Sequence, residues 1–237
     1  MSPFTNYCVL DLETTGLDPF TCDIIEVAMI RVREGEIVER FESLVYTPLE
    51  ISQHVTYLTG LSEEEVKEAP DFIGLLPKIQ TFLGNDPIVG HNIGFDIQFL
   101  IQKGLPLQKN PQWDTYILSN ILYPELPSHS LETNTKYFGI SHEDSHRAMA
   151  DVLASHELWN MLLQTPLELT VEQKELLKKL KNHSSWELLP LFLEDRELSK
   201  KSLEVPKTKM FEPLKIAEVD LDELEGPRFI YSSGYDP

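Results

Sequence analysis

Two periods of apolar and polar positions follow one another along this chain. Tyr7-Cys8-Val9-Leu10 is an unbroken apolar run, and residues 6–13 read as a buried first strand. Asp23 to Val32 predicts a second strand, carried by Ile24, Ile25, Val27, Met29, Ile30 and Val32. Arg33-Glu34-Gly35-Glu36 reads as a tight turn, and Ile37 to Tyr46 as a third strand, so the opening is a meander. The period then becomes helical. Thr59-Gly60-Leu61-Ser62 followed by Glu63-Glu64-Glu65 has the form of a capped helix start, and Asp71 to Leu83 is an amphipathic helix ending at Gly84.

Pro87 to Gly90 is a short buried strand closed by His91-Asn92, with Asn92 as the expected N-cap of a helix from Ile93 to Gln102. Trp113 to Tyr123 reads as a short strand or turn running into a helix, and Ser130 to Phe138 as a helix stopped at Gly139. Asp144 to Leu163 is the longest helical run, with Met149, Val152, Leu153, Leu158 and Leu162 on its apolar side. A meander followed by helix–strand–helix alternation is an α/β pattern with a mixed sheet.

The texture changes near Thr165. Thr170-Val171-Glu172-Gln173 has the form of a capping box opening a basic helix to about Lys181, and Ser184-Ser185-Trp186-Glu187 of another, interrupted by Pro190. Residues 199–237 are polar, then acidic, with too few apolar positions for a core of their own. The expected organisation is a domain over 1–165, a helical extension over 166–198, and a linker or docking segment over 199–237.

Charge sharpens this picture. The 237 residues carry a net charge of −19. Residues 1–165 hold 9 Lys+Arg against 24 Asp+Glu, and residues 166–237 hold 11 against 15. No broad basic field exists to release counterions from a polyanion, so tight unaided binding to long nucleic acid is not expected. Bound divalent ions would act locally in spite of that balance. The two cysteines, Cys8 and Cys22, make no disulfide framework. The start shows neither a basic n-region nor an apolar h-region, and no apolar run nears the length of a membrane span. A reducing, cytoplasmic setting without membrane contact is the expectation.

The candidate chemistry begins where the first strand ends. In DLETTGLDP, Asp11 and Glu13 stand two apart, so their carboxylates leave an extended backbone on one face. Such neighbours repel unless a cation lies between them. HNIGFD puts Asp96 in the first turn of a helix, where the macrodipole favours an anion. In HRAMAD, His146 and Asp151 are five apart, roughly 140° around a helix, so they share no helical face. His146 on the loop and Asp151 in the opening turns could both aim at one point. His142, four residues earlier, is the weaker competitor for the same role. Oxygen-only ligation by Asp11, Glu13, Asp96 and Asp151 suits Mg²⁺ or Mn²⁺, and such a set can hold two ions about 3.5–4 Å apart around a phosphoryl group. An imidazole is suited to take a proton from an attacking water.

DLETTGLDP, HNIGFD and HRAMAD together resemble the three motifs of the DEDDh (DnaQ-like) 3′→5′ exonucleases, in order, residue type and spacing, across roughly residues 5–164. That family includes the proofreading subunit of bacterial replicative polymerase and the exonuclease region of DinG-type helicases. The resemblance implies a ribonuclease H-like fold, a five-stranded mixed sheet flanked by helices. It implies that Asp11 bridges two ions, that Glu13 holds one and touches the 3′-hydroxyl, that Asp96 holds the second and Asp151 the first, and that His146 is the general base. Thr14, Thr15, Gly16 and Leu17 are similar to the family's grip on the 3′-terminal nucleotide, and His91, Asn92 and Phe95 to its second substrate-facing group. Asn134 departs from the apolar residue usual there, which puts local packing in question. No GxxxxGK[ST] phosphate loop occurs, so no helicase motor is encoded here.

The expected activity is two-metal 3′→5′ hydrolysis of single-stranded DNA ends to nucleoside 5′-monophosphates, with a helicase or polymerase partner reached through the C-terminal region. Two alternatives stay open: trimming of RNA ends, and a non-catalytic binding module on the same scaffold.

Overall fold

The computed structural model describes residues 3–142 and 145–165, together with 171, 175, 178, 179 and 188–193. Contacts divide the chain into two units, Met1–Pro166 and Leu167–Pro237. In the first unit, five strands form one sheet in the order β3-β2-β1-β4-β5. They are β1 (Tyr7–Thr14), β2 (Ile24–Arg33), β3 (Glu36–Leu44), β4 (Ile88–Gly90) and β5 (Gln112–Asp114). The β1–β2–β3 meander is antiparallel; β4 and β5 join it in parallel. This is the expected mixed five-stranded sheet.

β1 and β2 are central and covered on both faces, which is why their sequences read as near-continuous apolar runs. The two faces separate by residue parity. Cys8, Leu10 and Leu12 face a core containing Ile79, Phe82 and Leu83 of α3 (Phe72–Leu83) and Ile97 and Leu100 of α4 (Gly94–Gln102). Tyr7 faces the other way, onto α7 (Ala148–Leu163): its ring meets Trp159 edge-on at 6.1 Å, and its hydroxyl lies 3.0 Å from His156 Nδ1. Asp11 and Glu13 continue the row of Tyr7 and Val9 and therefore point to the α7 face. Gly90 in β4 permits close approach to β1, since a Cβ there would stand 3.0 Å from the Leu10 carbonyl oxygen and 2.6 Å from Ile93 Cδ1.

The remaining helices of this unit are α1 (Gln53–Thr59), α2 (Glu63–Lys67), α5 (Thr115–Leu122) and α6 (Leu131–Phe138). α2 has the expected capped start, where Ser62 and Glu65 form a capping box. α1 was not expected: it is only seven residues long, held by the Ser52 side chain at one end and left-handed Gly60 at the other. The long helix starts at Ala148 rather than Asp144. His146 has φ +67, a left-handed conformation that no helix continues through, and Asp144 lies outside the described residues. Asn92 is not an N-cap. Ile93 occupies that position without a side-chain cap bond, and Asn92 is itself left-handed at φ +61.

In the second unit, the helix α8 (Leu189–Leu193) is described. The expected helix starts at Thr170 and Ser184 and the expected linker over 199–237 lie outside the described residues. No described helix is long and apolar enough to cross a membrane.

Candidate metal and nucleic-acid site

Asp11 lies opposite Ala28 of β2, and Glu13 opposite Glu26. The β1–β2 register shifts between Glu13 and Thr14, so the strand ends in a bulge that turns the chain out of the sheet just past the carboxylates. Asp151 enters from the first turn of α7. One ligand oxygen each from Asp11, Glu13 and Asp151 lies within 4.8 Å of the others. Residues from two segments 138 positions apart in numbering thus converge as the sequence suggested.

Asp96 is in the first turn of α4 and only 4% exposed. Its Oδ1 accepts the Leu12 backbone N–H at 2.9 Å, so one oxygen is committed to β1. It falls outside the 4.8 Å group, yet it is the foremost charged neighbour of Asp11.

These carboxyl groups are held away from their ordinary ionisation. Burial, then repulsion from Asp96, Asp151, Glu13 and Glu26, pushes Asp11 well up. Burial, Asp151, Glu26 and Asp96 push Glu13 up to about 8, with Arg147 opposing. Asp96 is pushed up by burial despite the N–H groups that it accepts. Asp114, behind it, is raised by burial to about 6. A cluster of this kind has one economical partner, a hard cation that replaces the protons and is ligated by oxygen alone. The donor set fits Mg²⁺ or Mn²⁺ and does not resemble a thiolate–imidazole zinc site.

Two residues that hold the approach of α7 escaped the sequence reading. Glu26, fully buried on β2, accepts Arg147 Nη2 at 2.8 Å, Arg147 Nε at 3.3 Å, and the Ala148 backbone N–H at 3.1 Å. It therefore satisfies an orphan donor at the helix start while pairing with the residue beside it. The hint was legible: a lone acid inside the apolar run Ile24-Ile25-Glu26-Val27-Ala28 needs a buried partner.

Neighbouring His146 is exposed, and its ring makes no hydrogen bond among the described residues; its backbone N–H donates to Asp151 Oδ1 at 3.3 Å. It is His142 whose ring reaches the cluster, with Nε2 2.6 Å from the same oxygen. The structure thus brings both histidines to Asp151, by different atoms.

The loop after β1 is tightly organised. Thr14 Oγ1 donates to the Gly16 carbonyl at 2.7 Å, and Thr15 exchanges two hydrogen bonds with the backbone of Asp23. A Cβ at Gly16 would lie 2.7 Å from Cys22 Sγ, so a larger residue there would have to displace that thiol. Asp18 accepts the Phe20 N–H and the Thr21 hydroxyl, which fixes a turn from which Leu17 (64% exposed) and Phe20 (78%) project. Phe20 was not singled out from sequence.

The second motif is more enclosed. His91 Nε2 donates to the His129 carbonyl at 2.8 Å, and Nδ1 lies 2.9 Å from Thr115 Oγ1. Burial lowers its pKa to about 4, so the ring is neutral and its polar atoms are already engaged. The Asn92 N–H donates to Asp114, and the half-buried Phe95 ring packs on Phe99 at 4.9 Å. Asn134, the departure noted above, is fully buried and bonded to Ser119, His129 and Ser130, so it ties down the loop on which His91 leans.

Comparison with known proteins gives three kinds of match. The model of the exonuclease family RNase_T matches residues 8–159. The PolC-type DNA polymerase III of Oceanobacillus iheyensis is 38% identical over 161 residues, which are 66% of this chain and 11% of that protein. The Bacillus subtilis protein of the same name is 36% identical over 167 residues, 68% of this chain and 12% of it. The chain therefore spans about a ninth of the length of these relatives. Among solved structures, exonuclease X in complex with 5′-overhanging duplex DNA is 25% identical with a TM-score of 0.57, covering 70% of this chain and 96% of that one. E. coli exonuclease I in complex with a dA16 oligonucleotide is similar in fold, with 23% identity, a TM-score of 0.56, and 65% and 40% covered.

Proposed function

The chain belongs to the RNase_T exonuclease family, and on that premise we propose that it is a divalent-metal-dependent 3′→5′ exonuclease that removes nucleoside 5′-monophosphates from single-stranded DNA ends. The observation that carries this reading is the convergence of Asp11, Glu13 and Asp151 within 4.8 Å, with Asp11 and Glu13 pushed above the usual carboxylate range. A cluster left repulsive by the fold is one preorganised for cations.

Asp11, Glu13 and Asp151, with Asp96 behind them, are the residues that would hold two Mg²⁺ or Mn²⁺ ions. When bound, such ions acidify a water and offset charge on the phosphoryl and leaving 3′-oxygens. His146, exposed at the mouth of the site, takes the proton of the attacking water. Glu13 also faces the terminal 3′-hydroxyl. Thr14, Thr15 and Gly16 present a close-set backbone to the terminal sugar, and Leu17 and Phe20 present apolar surface to the bases. His91 and Asn92 shape the wall opposite through their own bonds to Thr115, His129 and Asp114, and Phe95 supports it.

DNA is favoured because the relatives are DNA polymerases and the two solved structures compared above are complexes with DNA. Residues 199–237 are the candidate connection to a polymerase or helicase partner, whether by contact or by covalent linkage. The test is shortening of 3′- and 5′-labelled DNA and RNA oligonucleotides with and without Mn²⁺. Mononucleotide release from DNA 3′ ends, lost in Asp11→Ala and in Asp96→Ala, is expected. Binding without shortening would instead mark a non-catalytic module, and preference for RNA would move the enzyme to RNA ends.

A further inference from the structure

Two histidines meet Asp151, and the structure gives them unequal positions. His146 offers only its backbone N–H, and its ring lies in solvent. The His142 side chain is 7% exposed, and its Nε2 is 2.6 Å from Asp151 Oδ1. The remaining ring nitrogen, Nδ1, is buried and has no partner among the described residues.

That arrangement has a simple reading in hydrogen-bond chemistry. Oδ1 of Asp151 is an acceptor for two donors, the Nε2–H of His142 and the N–H of His146. Fixing one oxygen from two directions fixes the plane of the carboxylate. It leaves Oδ2 as the oxygen without a donor among the described residues. An imidazole that carries its proton on Nε2 has a bare lone pair on Nδ1, and an unpaired acceptor of this kind is tolerated more readily in a dry pocket than an unpaired N–H. Partners that orient a ligating carboxylate or imidazole in this way raise metal affinity by reducing what must be ordered on binding.

We propose that His142 is a positioning residue of the metal site, holding the Asp151 carboxylate in its ligating orientation by donating from Nε2. It does not take the proton of the attacking water, because Nε2 already carries a proton held to Asp151 and the only basic lone pair, on Nδ1, is enclosed. The two histidines therefore divide the work: His142 sets the ligand, and the exposed His146 serves the reaction. This inference rests on the metal-dependent reading above, and the readout chosen for it is metal binding rather than turnover.

Mn²⁺ binding by the full chain, followed by the loss of the free-ion paramagnetic resonance signal, separates the possibilities. His142→Phe keeps a ring and removes the donor. It is expected to weaken Mn²⁺ binding roughly 10- to 100-fold, with the thermal unfolding of the metal-free protein little changed. His142→Gln extends an amide N–H to nearly the same reach and is expected to recover most of the affinity. Turnover of His142→Phe should climb back as Mn²⁺ is raised, whereas that of His146→Ala should not. If His142→Phe does not fold, His142→Asn, whose amide falls short of Asp151, replaces it against His142→Gln.

Unchanged Mn²⁺ affinity in the donor-less variant overturns the proposal. So does equal weakening in the Gln variant, which would assign His142 to packing alone. Turnover lost at saturating Mn²⁺ with affinity intact also overturns it, by making His142 the proton acceptor. Wild-type protein that binds Mn²⁺ but shortens no oligonucleotide would remove the proposed function and leave this inference standing; wild-type protein that binds no Mn²⁺ would remove both.

Discussion

Glu26 and Arg147, 121 positions apart, make an ion pair that seats the start of α7 on the sheet, with Arg147 Nη2 2.8 Å from Glu26 Oε1. Glu26 is fully buried, whereas the Arg147 side chain is 43% exposed. Glu26 also lies directly across the strands from Glu13, a like-charge pairing that the guanidinium offsets. Arg147→Met should destabilise the protein by about 2–3 kcal/mol, below the ~3–5 kcal/mol of a fully enclosed pair because Arg147 is partly solvated. It should also lower turnover, since His146 is its chain neighbour. Urea unfolding with parallel assays of kcat checks this; unaltered stability would mean that α7 is seated by its apolar face alone.

The raised carboxyl groups set the sign of the pH response. Glu13 moves from 4.5 in the unfolded chain to about 8 in the folded one, and Asp11 and Asp96 move the same way. Between those values the native state binds more protons than the unfolded state, so stability falls as pH rises from about 5 to about 8. Metal-free protein in a chelator should therefore melt at lower temperature near pH 8 than near pH 5. Saturating Mn²⁺ should flatten or reverse that slope, because the ion replaces the protons. A metal-free melting temperature that rises over this window would contradict the burial and repulsion assigned to the cluster.

Removing one charge from the cluster has opposite effects on stability and function. Asp96→Asn keeps an oxygen to accept the Leu12 N–H and loses the repulsion on Asp11. The metal-free variant should be more stable than wild type, by on the order of 1–3 kcal/mol. Its gain on adding Mn²⁺ should be smaller and its turnover lost. Calorimetry with and without Mn²⁺ reads the two stabilities and an oligonucleotide assay the turnover; a destabilised metal-free variant would show that Asp96 contributes more through its hydrogen bond than it costs through its charge.

His146→Ala should cost roughly 10²- to 10⁴-fold in turnover, the range for loss of a general base. Metal binding should persist, because the backbone N–H that meets Asp151 remains. Alanine must still adopt φ +67 at this position, a strained conformation. His146→Asn, which tolerates that conformation better and offers no base, controls for it. Matching losses in the two variants assign the effect to the imidazole; recovery in the Asn variant assigns it to the backbone.

Much of the site was legible because it follows local periodicity. Asp11 and Glu13 extend the row begun by Tyr7 and Val9, and an alternation of two reads directly from the sequence. Asp151 was placed in the opening turn of a helix by its distance from the preceding loop. What escaped depends on pairing between distant segments. Glu26 meets Arg147 only because β2 lies under the start of α7, and no local pattern encodes that register. The start of α7 was misplaced because the polar run from Asp144 to Arg147 gives no sign of the left-handed backbone at His146 that keeps the helix from starting before Ala148. His142 was ranked below His146 on spacing to Asp151; spacing along a chain says nothing about which atom of a loop residue turns inward.

The loop from Thr14 to Cys22 carries the last prediction. Leu17 and Phe20 are exposed large apolar residues on a turn held by Asp18, which accepts the Phe20 N–H, the Thr21 hydroxyl and the Cys22 N–H. Exposed apolar surface on such a turn has no stabilising role in the free protein, and the turn follows directly on the strand that carries Asp11 and Glu13. Stacking of a base on such a surface is worth about 1–3 kcal/mol and tolerates any sequence. On the proposed reading, Leu17, directly after Gly16, would meet the terminal base, and Phe20, further along the turn, the next one. Leu17→Ala should therefore raise KM on substrates of every length. Phe20→Ala should raise KM roughly 5- to 100-fold on oligonucleotides while leaving a thymidine 5′-phosphate aryl ester, which has no second base, unaffected. Phe20→Trp should restore the oligonucleotide KM. Equal losses on the ester and the oligonucleotide would point to a disturbed loop, and no loss on either would leave Phe20 outside the path of the strand.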